Sequence, residues 1–458
     1  DRSFLEALYE ELLVDTSERL NEIHGTNHSL RYWRILLGPW LGDFIQTIFD
    51  RWESVHQAIA DHELSGTIVL TGFEDIRVPN DMDDFFQLVG SQCWNHHIYG
   101  RILTDFSDLP YVIRSAVRIE HGTQYGLLTE VAPSHRALNF KASLVAAYSH
   151  LSGRLARPTD YFIVNTCLRS KRDELDLQRR LGQLPRFIAV EPPGKVPVDE
   201  LYRRWELGGT EGTGFEACLR SLIPEQMPTA YLEGYRALCE ESDRRRWPGA
   251  PRAIFTGGSH YYDDVFKEWC AAKTERGTPL VIAQHGGHIG TAWSFSHDHQ
   301  MAIADRFLSW GWSDPDEPKV VPVGMLKAPT LPGGGDAVKN RALLVTGNLD
   351  VHLQSFSLGS HAVASQFLGY LEDQFAFVEA LSPPVRDSLT VRVPCRDLDW
   401  DQQCRWRDRL PEVSLDDGGR PIMELLAETK LCIATSNGTT YLESFFLGVP
   451  TVIFWDTT

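Results

Sequence analysis

Four short stretches of this chain set small, hydroxyl-bearing and titratable side chains directly behind apolar segments of strand character. They are Thr256-Gly257-Gly258-Ser259-His260-Tyr261-Tyr262-Asp263-Asp264, Gln284-His285-Gly286-Gly287-His288, Thr346-Gly347-Asn348 and Thr435-Ser436-Asn437-Gly438-Thr439-Thr440. Carboxylates at the head of a helix, as Asp263 and Asp264 would be, can serve as general base or nucleophile. The same two acids would equally complement a helix dipole. His285, between a strand and two glycines, can act as a general acid or donate to a phosphate, and the glycines allow close backbone approach. In the third and fourth stretches a small-residue turn leaves amides and hydroxyls free, an arrangement that suits an anion and above all a phosphate. The other reading of the fourth is an ordinary βαβ crossover with capping hydroxyls. Glu443, one helical turn beyond Thr439 and Thr440, can bond a ribose or simply cap.

Two further groupings carry weaker chemistry. His297 and His299 flank Asp298 with HxH spacing, but no third or fourth ligand follows at a recognisable interval, so no metal is expected. His28, Arg31, Tyr32, Trp33, Arg34 and Trp40 fall within thirteen residues. Aromatic faces beside arginine donors suit sugars; core aromatics covered by arginine stems are the alternative. GxGxxG and GxxxxGK[ST] are both absent, which excludes the usual dinucleotide and P-loop signatures, and Gly333-Gly334-Gly335 lacks the Lys-Ser/Thr sequel.

The elements that must position these residues alternate between helix and strand. Helical spacing runs from Asp1 to about Ile23. Asn27-His28-Ser29 can cap a helix over 30–60 that Pro39 should kink or divide. Strands are expected at 67–71, 161–165, 253–256, 279–283, 319–323, 343–346, 390–393, 430–434 and 451–455. Helices are expected over 81–98, 141–155, 228–246, 262–274, 362–381, 422–428 and 439–446, and the segments 171–184, 186–190, 199–206 and 213–223 continue the alternation. The polar segment Ser313-Asp314-Pro315-Asp316-Glu317-Pro318 reads as a linker. Two domains follow, 1–312 with a helical amino-terminal region and 319–458. Ligands of such sheets lie at the carboxyl ends of strands, so the four loops should converge.

A 458-residue chain is long enough for two cores. A net charge of −18 argues against a general nucleic-acid binder, which needs clustered Lys and Arg, while leaving room for one small basic pocket. Eight cysteines without CxxC spacing read as free thiols of a reducing compartment. No apolar run approaches the ~18–20 residues that cross a bilayer. The chain begins at Asp1 without Met and stops a few residues behind its last strand. A longer parent, with the carboxyl-terminal domain cut short, is therefore expected.

The segments YWRILLGPWL (32–41), GTPLVIAQHGGH (277–288), FLSWGW (307–312) and SNGTTYLE (436–443) resemble a family of bacterial O-antigen and surface-polysaccharide transferases, akin to the Kdo transferases of capsule and lipopolysaccharide assembly. The resemblance implies an α/β, GT-B-like architecture: two doubly wound, Rossmann-like domains facing a cleft, with extra amino-terminal helices. It implies metal-independent transfer of a 3-deoxy-ulosonic acid, of Kdo or nonulosonate type, from a CMP-sugar donor to a glycan or lipid-linked glycan acceptor. No cofactor beyond that donor substrate is expected. The setting is cytoplasmic, with peripheral association at the inner membrane. In this reading Thr346, Gly347, Asn348, Thr435, Ser436, Asn437, Gly438, Thr439, Thr440 and Glu443 hold the nucleotide and its phosphate. Asp263 or Asp264 is base or nucleophile, and His285 steadies the leaving phosphate. Gln284, Gly286, Gly287, His260, Arg31 and Arg34 meet the sugars. The alternatives are an NDP-hexose or CDP-glycerol donor, or a non-catalytic glycan-binding relative.

Overall fold

The structure, a computed structural model, describes residues 2–72, 78–115, 155–188, 190–209, 211–328, 339–353, 357–358 and 364–454. The helix expected over 141–155 lies almost wholly outside them. Tertiary packing divides the chain into two compact units. The first is Asp1–Thr166, Ser170–Ala283 and His299–Phe307; the second is Cys167–Arg169, Gln284–Asp298 and Leu308–Thr458. The stretch behind the strand at 280–283 therefore groups with the second unit, ahead of the polar segment at 313–318.

The first unit opens with helices Arg2–His24, Leu30–Leu36 and Gly38–Asp61. Ser29 starts the second by accepting from the Tyr32 amide. Pro39 sits in the first turn of the third, where its missing N–H removes no helical bond; in an interior it would. Of the two outcomes expected for Pro39, division is the one that occurs. The segment expected as one helix from 81 is likewise two, Met82–Val89 and Gln92–Phe106, broken at Gly90 and restarted by the Ser91 cap. Trp33, Trp40 and Trp94 are fully buried, so the aromatic stripe at the amino end is core.

Strands β1 (Thr67–Thr71) and β2 (Tyr111–Ser115) form a separate parallel pair. β3 (Phe162–Val164), β4 (Ile254–Thr256) and β5 (Leu280–Ala283) run parallel in that order. Two further short strands, β6 (Arg306–Ser309) and β7 (Val320–Pro322), follow in sequence. The described residues of the 186–190 segment form no strand. The Gln178 side chain takes up the backbone of Arg186 instead, accepting its N–H at 2.8 Å and donating to its carbonyl at 3.0 Å. Nor do residues 199–206 form a helix or strand.

The second unit is a Rossmann-like α/β layer structure. β8 (Arg341–Val345), β9 (Leu389–Arg392), β10 (Ser414–Asp416), β11 (Thr429–Ala434) and β12 (Thr451–Ile453) make an all-parallel sheet in the order β10-β9-β8-β11-β12. Successive strand residues point to opposite faces. Leu344, Val391 and Ile433 thus pack with helices Phe367–Ala380 and Gln402–Arg409 through Phe375 and Trp406. Leu343 and Cys432 pack on the other face with Leu425 and Leu426 of helix Ile422–Glu428. Helices on both faces define a doubly wound sheet. Among the described residues, no helix is long and apolar enough to cross a membrane.

Candidate functional site

Counted from β8, the strand order of the second sheet is 3-2-1-4-5. The chain leaves β8 toward one edge and returns at β11 toward the other, and in such sheets the crevice opens at the carboxyl ends of those two strands. The loops there are 346–348 and 435–440, both singled out by sequence. Their inner residues are already engaged. The Thr435 hydroxyl donates to the Val345 carbonyl at 2.8 Å and lies 2.6 Å from the Tyr370 hydroxyl, which also accepts the Gly347 amide. Gln402 donates to the Gly347 carbonyl at 3.3 Å, Thr346 donates to Arg392 at 3.2 Å, and the Asn348 amide donates to Arg396 at 3.3 Å. Thr346, Gly347, Asn348 and Thr435 thus build the floor of the crevice from protein bonds. Tyr370 and Gln402, which hold that floor, were missed by sequence reading. Neither stands out among the several polar residues of its helix, so the sequence carried no signal for them.

The 284–291 loop rests on the 437–439 turn. The Gly287 amide donates to Thr439 Oγ1 at 3.2 Å, and the Asn437 side chain donates to Thr291 Oγ1 at 2.9 Å. A Cβ on Gly287 would stand 2.9 Å from the Gly438 carbonyl oxygen and 3.1 Å from Thr439 Cα. The absence of a side chain at Gly287 therefore serves loop-to-loop contact. Gln284 is buried and acts as the clamp: it donates to the Gly286 carbonyl at 2.8 Å and the Ile289 carbonyl at 3.2 Å. Its oxygen accepts from the Trp310 amide at 2.8 Å and Trp312 Nε1 at 2.9 Å. With every polar atom bonded to the protein, Gln284 positions the loop. Ser436, Gly438, Thr439, Thr440 and Glu443 are half-buried on the same turn and the helix behind it, Thr440–Phe446.

His285 differs from these neighbours: its Nδ1 is buried without a hydrogen-bond partner among the described residues. Burial, helped by His288, Lys327 and His297, lowers its pKa to about 4, so the imidazole is neutral at pH 7. The Glu443 carboxyl is pushed up by burial, a shift opposed by the charge of Lys327. The arrangement offers neutral donors and one unused imidazole nitrogen within a single α/β unit. It can receive an oxyanion and shift a proton as charge develops there.

The remaining sequence candidates belong to the first unit. Asp264 is buried and its oxygens are fully engaged: one accepts from the Tyr231 hydroxyl at 2.5 Å and pairs with Lys267 at 2.7 Å, the other takes the Met82 amide at 2.8 Å. Lys267 also donates to Tyr231 at 2.9 Å. That buried triad ties Asp264 into the fold. Asp263, at the same helix start, is half-buried, and burial raises its pKa against a hydrogen bond from Ser259. His260 is fully buried. Arg31 donates to the Ile303 carbonyl at 3.0 Å and to Asp305 at 2.7 Å; Arg34 grips Glu10 with two 2.6 Å bonds. Both arginines are thus engaged in tying elements of the fold together. His297 and His299 stand two apart on helix Phe295–Ile303 and fall in different units. Among the described residues no group of three or more His, Cys, Asp or Glu is placed to hold a metal ion.

A family model described as "LIC12162 family transferase" matches residues 1–458. No curated protein and no solved structure matches the chain.

Proposed function

The chain belongs to the LIC12162 family of transferases, and from that membership we propose a glycosyltransferase that moves a 3-deoxy-ulosonic acid, of Kdo or nonulosonate type, from a CMP-activated donor to a bacterial surface glycan. The GT-B layout is part of this reading, with the second unit taking the donor and the first the acceptor. The acceptor is a glycan or lipid-linked glycan, met at the cytoplasmic face of the inner membrane. The observation that carries the reading is His285 Nδ1, buried and without a partner among the described residues, on a loop fastened to the 435–440 turn at the switch point of a parallel sheet.

The reaction breaks the bond between the donor's anomeric carbon and its phosphate oxygen and makes one to an acceptor hydroxyl. Ser436, Asn437, Gly438, Thr439 and Thr440 hold the phosphate, and Glu443 meets the ribose. His285 donates to the departing phosphate. His285 rests neutral and offers its single ring N–H as a hydrogen bond that strengthens as negative charge builds on that oxygen, the phosphate leaving with the nucleotide as its anion. Fixed donors of this kind are worth about 2.7–4 kcal/mol each in a well-studied hydrolase. Asp263, whose pKa burial raises, takes the proton of the acceptor hydroxyl.

The test is a panel of CMP-, UDP- and GDP-sugars incubated with the purified chain, following released nucleotide. CMP release with a sugar acid is the expected result. Release from UDP- or GDP-hexoses alone would overturn the donor assignment, and no release from any would overturn the enzyme. Ser436→Ala should weaken CMP binding with little change in melting temperature.

A further inference from the structure

The groups named so far leave one charge without a role. Lys327, half-buried a few residues behind β7, lays its ammonium 5.3 Å from the centre of the Trp310 ring. It has no hydrogen bond or ion pair among the described residues. A half-buried ammonium in a protein is ordinarily matched by a carboxylate, because leaving water is costly for an unpaired charge. Here the matching group is an aromatic face, which attracts a cation but does not neutralise it.

The platform under Lys327 is not free to drift. The Trp310 amide donates to Gln284 Oε1 at 2.8 Å, and the nitrogen of the same Gln284 amide donates to the Gly286 carbonyl at 2.8 Å. One buried side chain therefore fixes both the tryptophan that carries Lys327 and the loop that carries His285. Trp310 Nε1 and His285 Nδ1 are each buried without a partner among the described residues. The charge of Lys327 is felt at His285, whose protonation it disfavours, and at Glu443, whose ionisation it favours. The ammonium and the indole N–H are both donors, the complement of an oxyanion, and the buried imidazole nitrogen stands on the loop that the same Gln284 fixes.

We propose that Lys327, held over Trp310 and bordering the 284–288 loop, is the cationic anchor for an oxyanion of the donor. This rests on the donor-site reading above and adds a residue outside the four loops singled out from the sequence. Two anions of such a donor have the required chemistry, its phosphate and the carboxylate of its sugar.

The experiment uses the full chain with Lys327→Met and Lys327→Arg, titrated calorimetrically with CMP, inorganic phosphate and free N-acetylneuraminate. Melting temperatures check that the variants fold. A phosphate anchor predicts that Lys327→Met weakens CMP and inorganic phosphate by about tenfold or more, the loss of one charge-assisted hydrogen bond. The sugar acid would then be unaffected and Lys327→Arg would retain most of the affinity. A carboxylate anchor predicts the same loss for N-acetylneuraminate with CMP unchanged. Wild-type binding matched by Lys327→Met for all three probes overturns the anchor and leaves the transferase reading standing. Phosphate binding that depends on Lys327 in a chain with no affinity for CMP would overturn the nucleotide reading instead. A wild-type chain that binds none of the three overturns both.

Discussion

The Gly287 amide and the Thr439 hydroxyl, 152 residues apart in sequence, meet in a 3.2 Å hydrogen bond. The contact joins the loop that carries His285 to the turn behind the fourth strand of the second sheet, so the two cannot be displaced independently. Gly287→Ala should separate them, since its methyl group would stand 2.9 Å from the Gly438 carbonyl oxygen and 3.1 Å from Thr439 Cα, so the loop or the turn must shift. The expected loss is about 1–3 kcal/mol of stability, together with weaker CMP binding. Unfolding in urea and calorimetry measure both; an unchanged midpoint and affinity would show the contact to be incidental.

Asp264 and Lys267 offer a contrast between fold and chemistry. Both side chains are fully buried and paired at 2.7 Å. Removing one partner of a buried ion pair strands the other, so Asp264→Asn or Lys267→Met should cost about 3–5 kcal/mol. Asp263→Asn should leave the unfolding midpoint near wild type while lowering turnover. A stable Asp264→Asn with lost activity would return that residue to the catalytic list.

The histidines of the second unit should make stability depend on pH. His285 titrates near 4 in the folded chain against 6.5 unfolded, and burial lowers His288 and His297 in the same direction. Between about 4 and 6.5 the unfolded chain binds the extra proton, so stability rises with pH across that window and is lost as pH falls through it. Each such histidine contributes up to about 1.4 kcal/mol per pH unit. Chemical unfolding from pH 4 to 7 should show a shallower slope for His285→Gln than for wild type. Identical slopes would mean His285 is not shielded from water.

Tyr370 holds the floor of the crevice by accepting from the Gly347 amide while lying 2.6 Å from the Thr435 hydroxyl. Tyr370→Phe keeps the ring and deletes the oxygen. It should cost about 1–3 kcal/mol, the penalty of leaving a buried N–H unmatched, and should loosen nucleotide binding because the floor shifts. A variant with wild-type stability would indicate that water or a small rotation replaces the bond.

Much of the second unit was legible in advance because its determinants are local. Apolar runs bounded by Gly, Asn and Pro announce strands such as 430–434, observed as Thr429–Ala434, and the small-residue turn at 435–440 announces the loop behind it. Ser29 as a cap and Pro39 as a break rest on backbone chemistry that any helix obeys. The misreadings were equally physical. Residues 186–190 read from sequence as part of the alternation of elements, yet the described ones form no strand, and the Gln178 side chain takes up both backbone groups of Arg186. Asp263 and Asp264 are adjacent and chemically identical in sequence. Which one is enclosed depends on Lys267, one turn along the same helix, and on Tyr231 and Met82, brought in from two other places along the chain.

The sequence by itself determined the α/β alternation and the positions of the loops that could bind an anion, since period, turn residues and capping act within a few positions. Only the tertiary structure decided which polar atoms within those loops are already consumed. Gln284, Thr435 and Gly347 looked like ligand contacts and are bonded to the protein, whereas His285 Nδ1 has no partner among the described residues. A polar group's availability is set by what packs against it. Gln284 spends its nitrogen on carbonyls of its own loop, but the partners of Gly347 and Thr435 lie 23 and 90 residues away.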